Sequence, residues 1–453
     1  MSASPPSVAS EAKPTGRRPK ILWLQVSALA TIQGAVVLAW VVYNLYLQKL
    51  LETFGFSPGT ATIVVFVENL LATLIEPVMG GLSDLSQRWL GSRFPFIAVG
   101  IVLSAALFIL IPTVWILGDW GQALELLRPL FPVVLVLWAL AMTIFRSPAL
   151  SLLKRYALNS RLTQAASLLT LTEGIARGLG FLTSPWILKI GPVFAFGLGS
   201  LALLASAIVL LLVKPNSQVE TQKPLTGKSE VNPGRSVLLK EPSTIAGVDP
   251  PGTVPPGTIP IALSFAKIGL IFGAGVGVSL GFRLFMATFS RVLKQIEIPE
   301  VTTRIILGSL FLSMSLTSLP LGNLGMRLGT RRGMLVGLTL MAGLCSSIAL
   351  ISSPGLGMLV AISVGAAFSL VSNATVPFAL SLVPTERSGL GTAIYFSGGS
   401  IAVTLLSGTL AKLQNVNPAV AALLGAVSFL LAGFFVAASQ NDRSKAHSNA
   451  NPT

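Results

Sequence analysis

Charged and amide side chains set inside otherwise apolar runs are the residues here that could do chemistry. Glu173 and Arg177 stand four apart in the run 162–186, so on a helix they share a face and can pair. Glu68 falls near the middle of the run 59–82, and Glu76 follows eight residues on, just before Pro77. Ionised carboxyls are costly in such surroundings, and burial raises their pKa, so they can load and release a proton near neutral pH. For Glu68 and Glu173 that chemistry is proton exchange, with a structural ion pair as the alternative for Glu173 and Arg177. Glu76 suits a structural or gating part. Lys267 and Arg283 lie towards opposite ends of the run 262–290. Long basic side chains near helix ends reach for the interface, which suits Lys267; Arg283, deeper in, could instead face a cavity.

Amides and one ring form a second set. Gln33, Trp40 and Asn44 recur at i, i+7 and i+11, within about 20° of one line on a helix. Such a stripe can bond a sugar's hydroxyls and stack one face of its ring, or it can serve helix–helix hydrogen bonding with an interfacial Trp. Ser369, Ser372, Asn373 and Thr375 could line an opposite wall or serve packing. The single cysteine, Cys345, lies in an apolar run and the single histidine, His447, in a polar tail. No disulfide framework, metal site, histidine relay or nucleophile–base set can be assembled from them, so no enzyme, metal or cofactor is expected. Gly227-Lys228-Ser229 resembles the end of a phosphate-binding loop, but Gln222 replaces its leading glycine. Energy must then come from a gradient.

The elements that position these residues follow from composition. Of 453 residues, 52% are hydrophobic and 10% charged, against about a quarter charged in soluble domains. Lipid must therefore be the solvent for most of the chain. Twelve apolar runs, near 21–47, 59–82, 94–117, 130–146, 162–186, 193–213, 262–290, 303–322, 334–352, 355–382, 389–411 and 417–438, are each close to the ~20 residues of a spanning helix. The first is too long for a signal-peptide core and reads as a retained helix. The expected fold is all-α, a polytopic membrane protein with twelve transmembrane helices in two pseudo-symmetric six-helix bundles. The halves are 21–213 and 261–438, joined by a Pro-rich, disordered cytoplasmic linker over 214–260, with tails 1–20 and 439–453. Of the 31 lysines and arginines, three times as many fall on the segments that share a side with the termini as on the opposite loops. The net charge of +15 is thus a topology signal placing both termini in the cytoplasm, not a nucleic-acid footprint.

An internal repeat supports the division. After the second run the chain reads Gly80-Gly81-Leu82-Ser83-Asp84, then Leu85 to Ile97 with Arg88, Gly91 and Arg93. The corresponding loop of the second half reads Gly322-Asn323-Leu324-Gly325-Met326-Arg327-Leu328-Gly329-Thr330-Arg331-Arg332. The first resembles the inner-loop signature of the major facilitator superfamily, and the second keeps its spacing with Met326 in place of Asp. Pro384-Thr-Glu-Arg387-Ser-Gly389-x-Gly391 is similar to a further signature of that family. Gly91, Arg93, Pro95, Phe96 and Ile97 fall where plant sucrose carriers and the glycoside, pentoside and hexuronide symporters have theirs, with Ser92 and Phe94 replacing two arginines.

The resemblance implies a multi-pass protein of the cell's inner or plasma membrane, monomeric, moving a small polar solute by alternating access. A sugar or glycoside, symported with protons, is the favoured cargo. It also implies inner-gate loops that latch the halves when the carrier is open outward, involving Gly80, Asp84, Gly91, Arg93, Gly322, Arg327, Gly329, Arg331 and Arg387; the alternative is that their charges only set topology. An exporter of apolar compounds would have a cavity lacking Glu173–Arg177. A non-transporting pigment-delivery or assembly factor would have a sealed, apolar one.

Overall fold

The computed structural model describes residues 21–118, 125, 127–213, 264–413 and 416–439. The expected linker 214–260, the tail 1–20 and all of the tail 439–453 but Ser439 lie outside them. Twelve long helices follow in order: α1 Trp23–Thr53, α2 Gly59–Leu90, α3 Phe94–Gly118, α4 Leu130–Ser151, α5 Leu162–Ile190, α6 Pro192–Leu212, α7 Phe265–Gln295, α8 Glu300–Leu328, α9 Thr330–Ser346, α10 Pro354–Ser381, α11 Ser388–Leu413 and α12 Pro418–Ala438. No strand occurs among the described residues. Helices are what such runs must form, because lipid leaves backbone N–H and C=O groups no other partner. Eleven are long and apolar enough to cross a membrane; the remaining one, α5, carries the Glu173–Arg177 pair.

Each half buries its own apolar core. The first gathers Trp138, Tyr43, Phe108 and Phe196 with side chains of α1–α6, and the second gathers Phe285, Met314, Met341 and Phe429 with side chains of α7–α12. Large apolar side chains such as Leu74, Phe194, Leu316 and Phe434 stay exposed on the outside, the surface that lipid covers. The halves meet mainly along α2 with α11 and α5 with α8, and also where α5 touches α10 and α4 touches α11.

Three boundaries differ from expectation. The second run ends near 82 by hydropathy, but α2 continues to Leu90, so Gly80 and Asp84 sit in a helix and not in a loop. Nothing in Ser83–Leu90 breaks a helix; the chain turns only at Gly91, whose φ of 65° suits glycine. Likewise α8 runs to Leu328 and ends at Gly329, φ 85°. The fourth run extends past 146 to Ser151, which moves Arg146 from the cytoplasmic group of basic residues into the body of a helix.

Close helix approach carries one stability prediction. A Cβ on Gly275 of α7 would lie 2.1 Å from the carbonyl oxygen of Tyr395 in α11, and one on Gly398 would lie 2.3 Å from that of Phe272. Backbone cannot yield as a side chain can. Gly275→Val is therefore expected to cost at least the ~1–3 kcal/mol of an overpacked core. Gly269→Ala, with open space around it, should leave the melting temperature of the detergent-purified protein unchanged. Equal melting temperatures for the two variants would refute the crossing.

Candidate solute site and gate

At one end of the bundle the halves are tied by a polar latch. Asp84, near the end of α2, accepts hydrogen bonds from the backbone N–H groups of Gly389 and Leu390, each at 2.9 Å. These are the first free donors of α11, where the helix dipole also favours an anion. Arg93 donates to the same carboxylate and, at 2.9 Å, to Ser388. Both charges are buried, at 5% and 3% exposure. Gly80 lets α2 come this close, since a Cβ there would meet Gly389 oxygen at 2.6 Å. Beside it Ser147 donates to Thr392 at 3.0 Å, and the Lys154 ammonium donates to the Leu380 carbonyl in the last turn of α10 and to that of Val383 just beyond it, 3.1 and 2.9 Å away.

The second-half repeat closes its side differently. Gly322 packs on Ser167, Gln164 donates to Asn323 at 2.8 Å, and the Thr163 and Thr330 hydroxyls bond at 2.9 Å. Met326 offers no carboxylate, so the Asp84 arrangement has no copy here. Arg327 is exposed, Arg331 donates to the Ser439 carbonyl within its own half, and Arg387 sits half-buried in the turn before α11. All of these crossings lie at the end that carries the repeated loops. Midway along the helices Ser397 donates to the Thr73 carbonyl and Ser315 to that of Leu171.

At the centre the embedded charges come together from both halves. Glu173 accepts from Gln33 of α1 on one oxygen and from Arg177 on the other, both at 3.1 Å. The Arg177 side chain is 39% exposed and lies over the Phe311 ring of α8, 5.8 Å from its centre. Arg146 of α4 stacks on Phe396 of α11 at 4.1 Å and is an electrostatic neighbour of Glu76, Glu173 and Arg177. Glu76 is buried with Oε2 unpartnered. Arg283 is exposed although enclosed by protein, and its charged neighbour is Arg177 across the gap between the halves. It lies twelve residues from the nearer end of α7, about 18 Å along the axis.

Other sequence candidates are placed elsewhere. Glu68 is buried at 3% exposure and accepts from the Tyr43 hydroxyl inside the first half. Trp40 leans on Tyr43 and Trp138, with ring centres 5.6 and 4.9 Å apart. Asn44 is exposed and donates to the Trp40 carbonyl at 2.7 Å. The Gln33–Trp40–Asn44 stripe thus has both amides and part of the ring engaged within the protein. Ser372 is half-buried, and Asn373 is buried and donates to the Ser318 carbonyl at 2.8 Å.

A twelve-helix bundle of two halves, latched at one end with charges at its middle, meets its family at this point. The profile of the Major Facilitator Superfamily matches residues 29–266 and 271–453. The chain belongs to this superfamily. No curated protein matches it significantly. Among solved structures it is similar to a bacterial homologue of the iron transporter ferroportin in an outward-facing state with soaked iron, at TM-score 0.67 and 14% identity over 92% of this chain and 98% of that one. It is also similar to the human organic anion transporter MFSD10 (TETRAN), at TM-score 0.61 and 14% identity over 91% and 99%. Identities this low show the shared fold.

As a superfamily transporter fold, the chain places in the site and gate several residues that sequence patterns alone do not mark. Arg146 stands at the end of a hydropathy run, where it reads as a topology charge, yet it lies among Glu76, Glu173 and Phe396. Lys154 reads the same way and caps α10. Tyr43, Ser147 and Thr392 carry no charge to draw attention. Helical phase holds a usable signal: Arg146 follows Trp138 and Met142 by eight and four residues, on the buried face of α4.

Proposed function

We propose that this superfamily member is a secondary active transporter of a small polar solute, working by alternating access with its cytoplasmic gate shut. The observation that carries the reading is a pairing of two features: a hydrogen-bonded seal between the halves at one end, and water-accessible Arg177 and Arg283 facing each other at mid-depth. Charges within membrane spans mark solute pathways, and a site between two repeats gated from alternate sides is how such carriers work. The basic-residue bias supports reading the latched end and both termini as cytoplasmic; the carrier is taken to work as a monomer in the cell's inner or plasma membrane.

Proton coupling rests on Glu173, which shares the central site, and Glu68, which sits behind Tyr43. A sugar or glycoside cargo draws its support from the first-half loop; the stripe that would bind it is engaged within the protein. Charged side chains at the centre speak against both an exporter of apolar compounds and a pigment-delivery or assembly factor with a sealed apolar core.

Uptake into proteoliposomes tests the reading. A panel of labelled sugars and organic acids is offered with and without an inward proton gradient, using the protein with Cys345→Ser, Gln164→Cys and Asn323→Cys. At least one solute should enter faster under the gradient; oxidation that links the two introduced thiols should stop it and reduction should restore it. No uptake of any polar solute would overturn the carrier reading, and gradient-independent uptake would overturn the coupling alone.

A further inference from the structure

Three central arginines stand against two carboxylates: Glu173 pairs with Arg177, Glu76 and Glu173 neighbour Arg146, and Arg283 has neither. Arg146, Arg177 and Arg283 form a chain of electrostatic neighbours, Arg146 with Arg177 and Arg177 with Arg283. Among the described residues, Arg177 alone of the three has an ion pair, with Glu173. Arg146 leaves Nε buried and unpartnered, and Arg283 makes no hydrogen bond or ion pair among the described residues. Neighbouring like charges repel, most strongly where protein excludes water. Yet the two that face each other across the halves, Arg177 and Arg283, are the accessible ones. A guanidinium presents a planar fork of donors that matches a carboxylate or phosphate with two parallel bonds.

Next to these donors is an apolar wall. Arg177 lies over Phe311; Phe311 meets Phe181 with ring centres 5.6 Å apart and Phe282 at 6.1 Å, and Phe282 stacks on Phe368 at 4.1 Å. Phe181, Phe282 and Phe368 are each only partly buried. Phe282 directly precedes Arg283, so α7 supplies both a ring and a charge to this region.

We propose that the solute is an organic anion: its carboxylate or phosphate is bridged between Arg177 of the first half and Arg283 of the second, with an apolar body against the partly buried rings Phe282 and Phe368. This rests on the carrier reading for its location, and it narrows the cargo from polar solutes in general to anionic ones. It also gives the anion a part in the cycle. Bound between the halves, it neutralises the repulsion that holds the two arginines apart and so favours their approach.

Binding to the purified, full-length protein in detergent tests this without requiring transport. The probes are 3-phenylpropionate, its neutral isostere 3-phenylpropanol, phenylphosphate and sucrose, titrated by isothermal calorimetry and thermal shift. The two anions should bind and raise the melting temperature, while the alcohol and sucrose should not. Because the Arg283 side chain holds nothing in place, Arg283→Gln should keep the unliganded melting temperature and weaken anion binding at least tenfold. Arg283→Lys should recover part of the loss. Equal binding of acid and alcohol, or full anion affinity in Arg283→Gln, would overturn the proposal. Uptake of a neutral sugar with no binding of either anion would also overturn it while sparing the carrier reading. Anion binding that depends on Arg283, without uptake of any solute, would support the site and overturn the carrier reading.

Discussion

Replacing Asp84 with Ala is expected to open the latched end of the molecule. The carboxylate is buried and answers three donors: the Arg93 guanidinium and the N–H groups of Gly389 and Leu390. Truncating it strands Arg93, which is 3% exposed, with only its serine partners Ser151 and Ser388 left and the like charge of Arg155 nearby. Breaking a buried pair by removing one member costs ~3–5 kcal/mol, and ~5.5 kcal/mol carries a two-state equilibrium from 1:99 to 99:1. Most of the latched population should therefore be lost. Disulfide yield between Gln164→Cys and Asn323→Cys, on the far side of the same gate, reports it: near-complete in the parent and severalfold lower in Asp84→Ala. Removing both charges, with Asp84→Ala and Arg93→Met together, should restore much of the yield, because no unpaired charge is then buried. An unchanged yield in Asp84→Ala would mean that the latch does not hold the state.

The second large effect is expected at Glu173. Its two oxygens serve two partners, Gln33 and Arg177, and Arg146 also lies in its field. Glu173→Gln keeps the shape but turns one acceptor into a donor facing a donor, and it leaves Arg177 without its ion pair and Arg146 with Glu76 alone. Uptake should fall at least tenfold, and acceleration by an inward proton gradient should disappear. Glu68→Gln is the companion variant: its amide oxygen can still accept from Tyr43, so folding should persist and only coupling is at stake. Normal gradient acceleration in both variants would reassign the two glutamates to structure. Melting temperatures close to the parent's would show that lost uptake does not come from unfolding.

How much of the gate is legible in the sequence depends on what each residue contacts. Asp84, Gly80 and Arg93 stand out because their spacing repeats after Gly322 and because a charge beside an apolar run is conspicuous. Their partners are backbone N–H groups 305 and 306 residues away, and no local pattern marks a helix start as the receiver of a distant carboxylate. Met326 is visible as a departure from the repeat; that the second side closes through neutral Thr163, Gln164, Asn323 and Thr330 is not. Arg146 and Lys154 read as topology charges because hydropathy falls away where they occur. The helix there continues regardless, since backbone hydrogen bonding does not stop where hydrophobicity does.

The amides of α1 show the same limit. Spacing alone puts Gln33, Trp40 and Asn44 on one line, and the helix does present them so. What each side chain does is decided by what packs beside it: Glu173 takes the Gln33 amide, the Trp40 carbonyl takes that of Asn44, and Tyr43 with Trp138 covers part of the ring.

Sequence by itself determined the solvent, the number of spans, their division into two halves and, Arg146 apart, the charges embedded in the middle of them. Those properties follow from the free energy of placing each residue in lipid, which is local and additive along the chain. Tertiary structure alone decided which end is sealed, which charges meet and which arginines face each other without a carboxylate between them. Such properties are pairwise across hundreds of residues, and close packing at glycines sets them to within an ångström.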